Sequence, residues 1–301
     1  MPRRYAIYDV FTDQALTGNQ LAVVFDSDGL DDAAMQAIAR EFNLSETVFI
    51  RAPDNPAHSA ALRIFTPGRE LPFAGHPTVG AAIAIGEDGP ADGADDRLMV
   101  LGEEIGPVRC ALRLGEPSYA EFDLPRLPEQ IDQVIDKAAV AAAIGAAPEE
   151  VGFENHEVSV WTAGNAFVFV PLDGIGPVQR LSLDKGLWDE VAPVVNGHQA
   201  SLYAYTRDVI HHDCAFHARM FAPEMGLGED PATGSAVAGF AGAIAWFDGL
   251  AEGPTAYVIE QGIEMGRPSK IRLEIDGKAG AIHAARIGGH AVKVAEGTLL
   301  A

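Results

Sequence analysis

The sequence predicts an α+β protein of two similar domains, each a curled, mostly antiparallel sheet around a central helix. Three observations carry this. Short strand-like runs alternate with few helices, a set of motifs occurs twice roughly 150 residues apart, and both copies lead into a helix of small residues.

The elements follow in order. Tyr5–Val10 reads as a strand, Thr12 and Asp13 as a turn, and Leu21–Phe25 as a second strand. Asp31 to Phe42 is a helix: Asp31 or Asp32 can cap it, and Met35, Ile38, Ala39 and Phe42 fall on one face. Asn43 supplies its stop. Thr47–Ile50 and Ala61–Phe65 are further strands. No GxGxxG follows a strand, so a dinucleotide-binding fold is not supported.

The repeat orders the rest. Thr17-Gly18-Asn19 precedes an apolar run, and Ala163-Gly164-Asn165 does the same 146 residues later. Arg63-Ile64-Phe65-Thr66-Pro67 returns as Arg219-Met220-Phe221-Ala222-Pro223, offset by 156. Each copy then reaches an X-Pro step and a Thr, His76-Pro77-Thr78 against Asp230-Pro231-Ala232-Thr233. Small-residue helices follow over Val79–Ile85 and Ser235–Ala245. Ala and Gly on every face suit a helix closely enclosed by a sheet. The proline-rich stretch Pro117–Pro128 is the expected crossover. The domains are therefore predicted at 1–117 and 118–284, with the tail 285–301 returning to the first as a strand.

Composition narrows the function. Twenty-one Lys and Arg against 43 Asp and Glu give a net charge of −22. Such a chain repels phosphate backbones and anionic membranes, so neither nucleic acid nor membrane is an expected partner. Cys110 and Cys214 are the only cysteines, too few for a disulfide framework and consistent with a cytoplasmic location. The N-terminus lacks a signal-peptide pattern, and Ala236–Phe247 is too short to span a bilayer.

Both repeats place polar residues where the small-residue helix begins. His76 and Asp230 are read as N-cap-like, and the open N–H groups behind them can hold an anion such as a small carboxylate. Glu46, between a helix and an apolar strand, is the candidate proton carrier if it lies at a cleft mouth, where partial desolvation would raise a carboxylate pKa; taken alone, a solvated turn residue accounts for it better. His211-His212-Asp213-Cys214 and His217 are good ligand types, but zinc pair spacing is absent and no metal is expected. Arg267, in a turn after Gln261, could pair a carboxylate; a surface hairpin accounts for it equally well.

TGNQLAVVF, NLSETVF, RIFTPGRELPFAGHPTVG, RMFAP, GEDPATGSA and QGIEMGRPS, in order from Thr17 to Ser269, resemble the phenazine-biosynthesis PhzF-like family. The resemblance implies a diaminopimelate-epimerase-like fold, a homodimer, and no metal or organic cofactor. By motif it implies Glu46 as general acid/base, with His76 and Asp230 as its catalytic partners. Gly75, Gly234, Ser235 and Thr78 are the implied substrate-binding residues. The family's chemistry is isomerisation of a dihydro-hydroxyanthranilate, in which a proton leaves one ring carbon and returns at another. Two alternatives stand beside it: a racemase or epimerase using Glu46 and Asp230 as paired carboxylates, and a noncatalytic metabolite-binding or protein-interaction dimer. A two-thiol epimerase is disfavoured because no cysteine stands at either glycine-rich helix start.

Overall fold

Buried and half-buried residues alternate along Ser118–Asp123, the pattern of a sheet strand with one face on a core. In the computed structural model, which describes residues 2–89, 94–225 and 227–300, this strand belongs to the first of two units. The units are Met1–Pro125 with Arg286–Ala301, and Arg126–Ala285. The first therefore extends past the boundary predicted at residue 117. The last residue of the predicted C-terminal strand, Ala301, lies outside the described residues.

In the first unit β1 (Arg3–Val10) pairs antiparallel with β2 (Asn19–Val24), and β2 runs parallel to β3 (Glu46–Arg51). The crossover is α1 (Asp32–Phe42). Asp31 caps it, accepting from the Ala34 N–H at 2.8 Å, and Asn43 ends it in the left-handed conformation at φ 52°. Such a cap contributes about 1 kcal/mol. β3 pairs antiparallel with β4 (Ala60–Phe65), which carries the short β5 (Glu70–Leu71). After α2 (Gly75–Asp88) the chain enters β6 (Asp96–Glu103), parallel to β4. β6, β7 (Gly106–Arg113) and β8 (Ser118–Asp123) form a meander. The C-terminal strand (Ala281–Leu299) then pairs with β8 through Arg286–Ala291 and with β1 through Ala291–Leu299. Every strand of this ring has two neighbours, so the sheet is a barrel, and α2 runs inside it.

The second unit opens with β9 (Glu129–Gln130) and α3 (Lys137–Ile144), then repeats the plan. β10 (Ser159–Thr162) and β11 (Ala166–Pro171) form the hairpin. After α4 (Ile175–Arg180), α5 (Lys185–Val191) and the small hairpin of β12 (Val194–Val195) and β13 (His198–Gln199), β14 (Ser201–Thr206) joins parallel to β11. β15 (Phe216–Ala222) pairs antiparallel with β14 and carries the short β16 (Leu227–Asp230). α6 (Gly234–Asp248) leads to β17 (Gly253–Gln261), parallel to β15, and then to β18 (Ser269–Lys278). Hairpin, parallel crossover, antiparallel return and parallel crossing past a buried helix occur in the same order in both units, so the sequence repeat is a repeat of topology.

Both buried helices exceed their predicted limits, because the apolar run alone marked only their middles. Their small residues are a packing requirement. A Cβ at Gly80 would sit 2.5 Å from Leu21 Cδ2, and one at Gly242 would overlap the ring of Trp161. Gly242→Ala is expected to lower the melting temperature, because overpacking costs about 1–3 kcal/mol against a helix-propensity gain of about 1 kcal/mol. Gly176→Ala meets only the flexible end of Arg180, at 3.6 Å, and serves as the unperturbed control in the same thermal melts.

Candidate active site

Glu46 opens β3, in register with Leu21 of the parallel neighbour β2. This central-strand position leaves it only 8% exposed. The structure thus buries it more deeply than the cleft-mouth position expected from sequence. His76, the second residue of α2, brings its Nε2 to 3.3 Å from Glu46 Oε2. Its other ring nitrogen lies 3.3 Å from Asn19 Nδ2 at the start of β2. Burial pushes the His76 pKa down to about 3, with a backbone hydrogen bond at Gln20 acting the other way. At neutral pH the imidazole is therefore uncharged, with one ring nitrogen toward the carboxyl beside it. Such a pair can hold and return a single proton.

In the second unit Asp230 ends β16 and is 5% exposed. Thr233 donates its hydroxyl to Asp230 Oδ2. Gln261, at the end of β17, donates to the Asp230 carbonyl at 2.8 Å and its Nε2 lies 3.1 Å from the Thr233 hydroxyl. Ser235 is the second residue of α6 and is half-buried. Neither α2 nor α6 has a side-chain cap at its start. The first-turn N–H groups of Gly75 and His76, and of Gly234 and Ser235, are of the kind that a helix leaves without internal partners and that suits an anion.

Three sequence readings are corrected. His76 and Asp230 are not N-caps; Ala74 and Thr233 are. The error came from starting the helix at Pro77, since a residue before proline disfavours the helical region. Here enclosure by the barrel overrides that bias. The two helix starts also align differently: Glu70, Pro72 and Gly75 correspond to Glu229, Pro231 and Gly234 at a constant offset of 159, which pairs His76 with Ser235 and Leu71 with Asp230. Thr78, implied as substrate-binding, has its side chain engaged within the first unit. It is fully buried, and its hydroxyl lies 2.8 Å from both the Ala74 carbonyl and Glu103 Oε1.

Glu103 carried no role in the sequence, yet burial raises its pKa to about 8, with the Thr78 hydrogen bond acting the other way. A single hydroxyl hydrogen cannot serve both neighbours of Thr78, which fits a protonated Glu103 that donates into the pair. A raised folded pKa means the folded state holds a proton that the unfolded chain releases. Glu103 thus contributes stability fully present below about pH 4.5, and lost as pH rises to about 8. Glu103→Gln should therefore gain on wild type between those limits, read as a difference in melting temperature that grows with pH. Asn19, Thr233 and Gln261 were also missed. Asn19 stood in the TGN repeat, Thr233 in GEDPATGSA and Gln261 in QGIEMGRPS, but none carried a role there, and Asn165, the counterpart of Asn19, is exposed.

The duplicated units have the diaminopimelate-epimerase-like fold, with the buried Glu46–His76 pair in one and the buried Asp230 carboxylate beside the uncapped α6 in the other. The chain belongs to the phenazine biosynthesis-like protein family, PhzC-PhzF, whose model matches residues 8–297. It is 54% identical over 299 residues to an uncharacterized isomerase of Mesorhizobium japonicum, covering 99% of this chain and 98% of the relative. It is 33% identical over 295 residues to trans-2,3-dihydro-3-hydroxyanthranilate isomerase of Pseudomonas aeruginosa, covering 98% of each. The crystal structure of the Bacillus anthracis phenazine biosynthesis protein of the PhzF family superposes with a TM-score of 0.88 at 22% identity, over 100% of both chains. These relatives place the chain among isomerases. Among the described residues no helix is long and apolar enough to cross a membrane, and no group of side chains is arranged to hold a metal ion.

Proposed function

We propose that this protein is a cofactor-independent isomerase that moves a proton between two carbons of a small cyclic carboxylate, as trans-2,3-dihydro-3-hydroxyanthranilate isomerase does by name. The observation that carries it is the buried Glu46–His76 pair, 3.3 Å apart, with the imidazole kept neutral. On this reading the Glu46 carboxylate takes the proton from one ring carbon, the double bond shifts, and the carboxyl, whose proton exchanges with solvent, returns a proton at another carbon. No atoms or electrons are gained or lost. His76 holds the Glu46 carboxyl and shares its proton. Asp230 and Ser235 are the proposed substrate-orienting residues, and open helix-start N–H groups are of the kind that receives a carboxylate.

The test is turnover of trans-2,3-dihydro-3-hydroxyanthranilate in deuterated water, followed by ultraviolet absorbance and by NMR of the product. Absorbance change with deuterium at a new ring position supports the reading. No change, together with loss of optical rotation in a panel of amino and imino acids, would replace it with a racemase that uses Glu46 and Asp230 as its two carboxylates.

A further inference from the structure

Beneath Asp230 lies a second polar cluster that the proposed chemistry does not use. His217 of β15 is fully buried, and its Nδ1 lies 2.9 Å from Glu260 Oε1, the residue opposite it in the parallel register with β17. Its Nε2 lies 3.0 Å from Glu264 Oε1, in the turn that follows β17. Glu260 is itself fully buried. It also accepts from the Ile210 and His211 backbone N–H groups at 2.6 and 2.9 Å, and pairs with His211 Nδ1 at 2.7 Å. Buried ionic groups of this number are costly unless paired, and here each has a partner of opposite charge, although Glu264 Oε2 makes no hydrogen bond among the described residues.

The cluster ends on the residues that hold Asp230. Gln261 is the residue after Glu260, and its amide binds the Asp230 carbonyl and Thr233. Gly262 comes next, in a left-handed conformation at φ 76°, and a Cβ there would lie 2.5 Å from the carbonyl oxygens of both Pro231 and Arg267. The turn is therefore pressed backbone to backbone against the Asp230-Pro231 step, where only glycine fits. A shift of this turn must move Asp230.

We infer that His217 is a positioning residue: by bridging Glu260 of β17 to Glu264 of the turn, it locks the turn, and through Gln261 and Gly262 it fixes where Asp230 and the start of α6 sit. The inference rests on the proposed role of Asp230.

Its charge state gives it a signature. Burial opposes a charged imidazole, but the hydrogen bonds and charges of Glu260 and Glu264 outweigh it and raise His217 to about 9. Burial also works against the Glu260 carboxylate, yet the bonds from His217 and from Ile210 and His211 hold it down at about 2. Glu264 is lowered by His217 against its own burial, with Arg219 adding to the effect. The nearby Cys214 thiol, raised by burial and by Glu260 to about 12, stays neutral. The folded pKa of His217 lies above its unfolded value, so the lock is complete below about pH 6.5 and is lost as pH rises through about 9.

The Thr233 amide is the reporter, because its N–H points at Gln261 Oε1. In full-length His217→Gln, exchange of that amide with deuterated water, corrected for intrinsic rate, should be at least about tenfold faster than in wild type. Amides in the middle of α6 should be unchanged. Wild type should lose Thr233 protection as pH rises through about 9, and the variant should show no such step. If that variant does not fold, Glu264→Gln, which removes one of the two carboxylates, should give a smaller acceleration of the same sign. Wild-type protection at Thr233 in either folded variant overturns the inference, as does equal loss along all of α6, which marks a purely structural role. Asp230→Asn separates this from its premise. Undiminished turnover of trans-2,3-dihydro-3-hydroxyanthranilate in that variant overturns the role of Asp230, whereas slowed turnover with unmoved Thr233 protection in His217→Gln overturns the positioning alone.

Discussion

Glu46→Gln is expected to lower the turnover of trans-2,3-dihydro-3-hydroxyanthranilate by about 10²–10⁴-fold, the usual loss when a general acid/base is removed. Gln keeps the size and one hydrogen-bonding oxygen of Glu46, so the 3.3 Å approach to His76 can survive. What it cannot do is accept a proton from carbon. KM should therefore change little while kcat falls, the mark of a group that acts in the transition state. Deuterium incorporation into product should fall in parallel. The pH profile adds a check. His76 is pushed down to about 3 by burial, so an acid limb above about pH 4 does not come from the imidazole. A Glu46→Gln enzyme that incorporates deuterium as fast as wild type would end the assignment. An unchanged thermal melt is required for either reading, since replacing a buried carboxyl can alter folding as well as chemistry.

What could be read from the sequence was local or periodic. Asp31 and Asn43 bound α1 as expected because a cap and a left-handed stop depend on a few adjacent residues. The duplication was legible because RxFxP and GN fall at strand ends that recur in both units. The detail at the helix starts was not. Pairing His76-Pro77 with Asp230-Pro231 followed the prolines, whereas the offset of 159 becomes visible only when Glu70 and Glu229 are seen on their arginines. The first unit's end was placed at residue 117 because prolines suggested a linker. Instead β8 must stay in that unit, since it bridges β7 and the C-terminal strand and closes the barrel. Glu103 was out of reach altogether: it meets Thr78 only because of where β6 ends, 25 residues on. Glu46 and Asp230 were singled out by motif, and both are buried. Asn19 and Gln261 reach His76 and Asp230 from distant segments, and only the fold brings them there.

The largest loss of stability is expected at Arg219, and the repeat supplies the internal comparison. Arg219 binds Glu229 with both prongs of its guanidinium, at 2.7 and 2.8 Å, in a pair whose side chains are 8% and 15% exposed. The remaining nitrogen serves the carbonyls of Val178, Gln179 and Leu181 at 3.0–3.2 Å, and the guanidinium lies over the Phe221 ring, 5.0 Å from its centroid. Arg219→Met strands a buried carboxylate and removes the partner of carbonyls near the end of α4. The expected cost is about 3–5 kcal/mol, which lowers the melting temperature by roughly 10 °C. In the first unit Arg63 makes the same two-pronged bond to Glu70 and lies over Phe65, but these side chains are 25% and 26% exposed. Water can take over there, so Arg63→Met should cost nearer 1 kcal/mol. Adding Glu229→Met to Arg219→Met should restore part of the loss, because the penalty is largely that of an unpaired buried charge. Equal losses for Arg63→Met and Arg219→Met, or no recovery in the double variant, would show that packing against the aromatic ring, and not the ion pair, governs these positions. The pair also has a bearing on the site. Glu229 immediately precedes Asp230, so the same guanidinium that stabilises the second unit holds the last strand before α6 in the register that sets Asp230 beside Thr233.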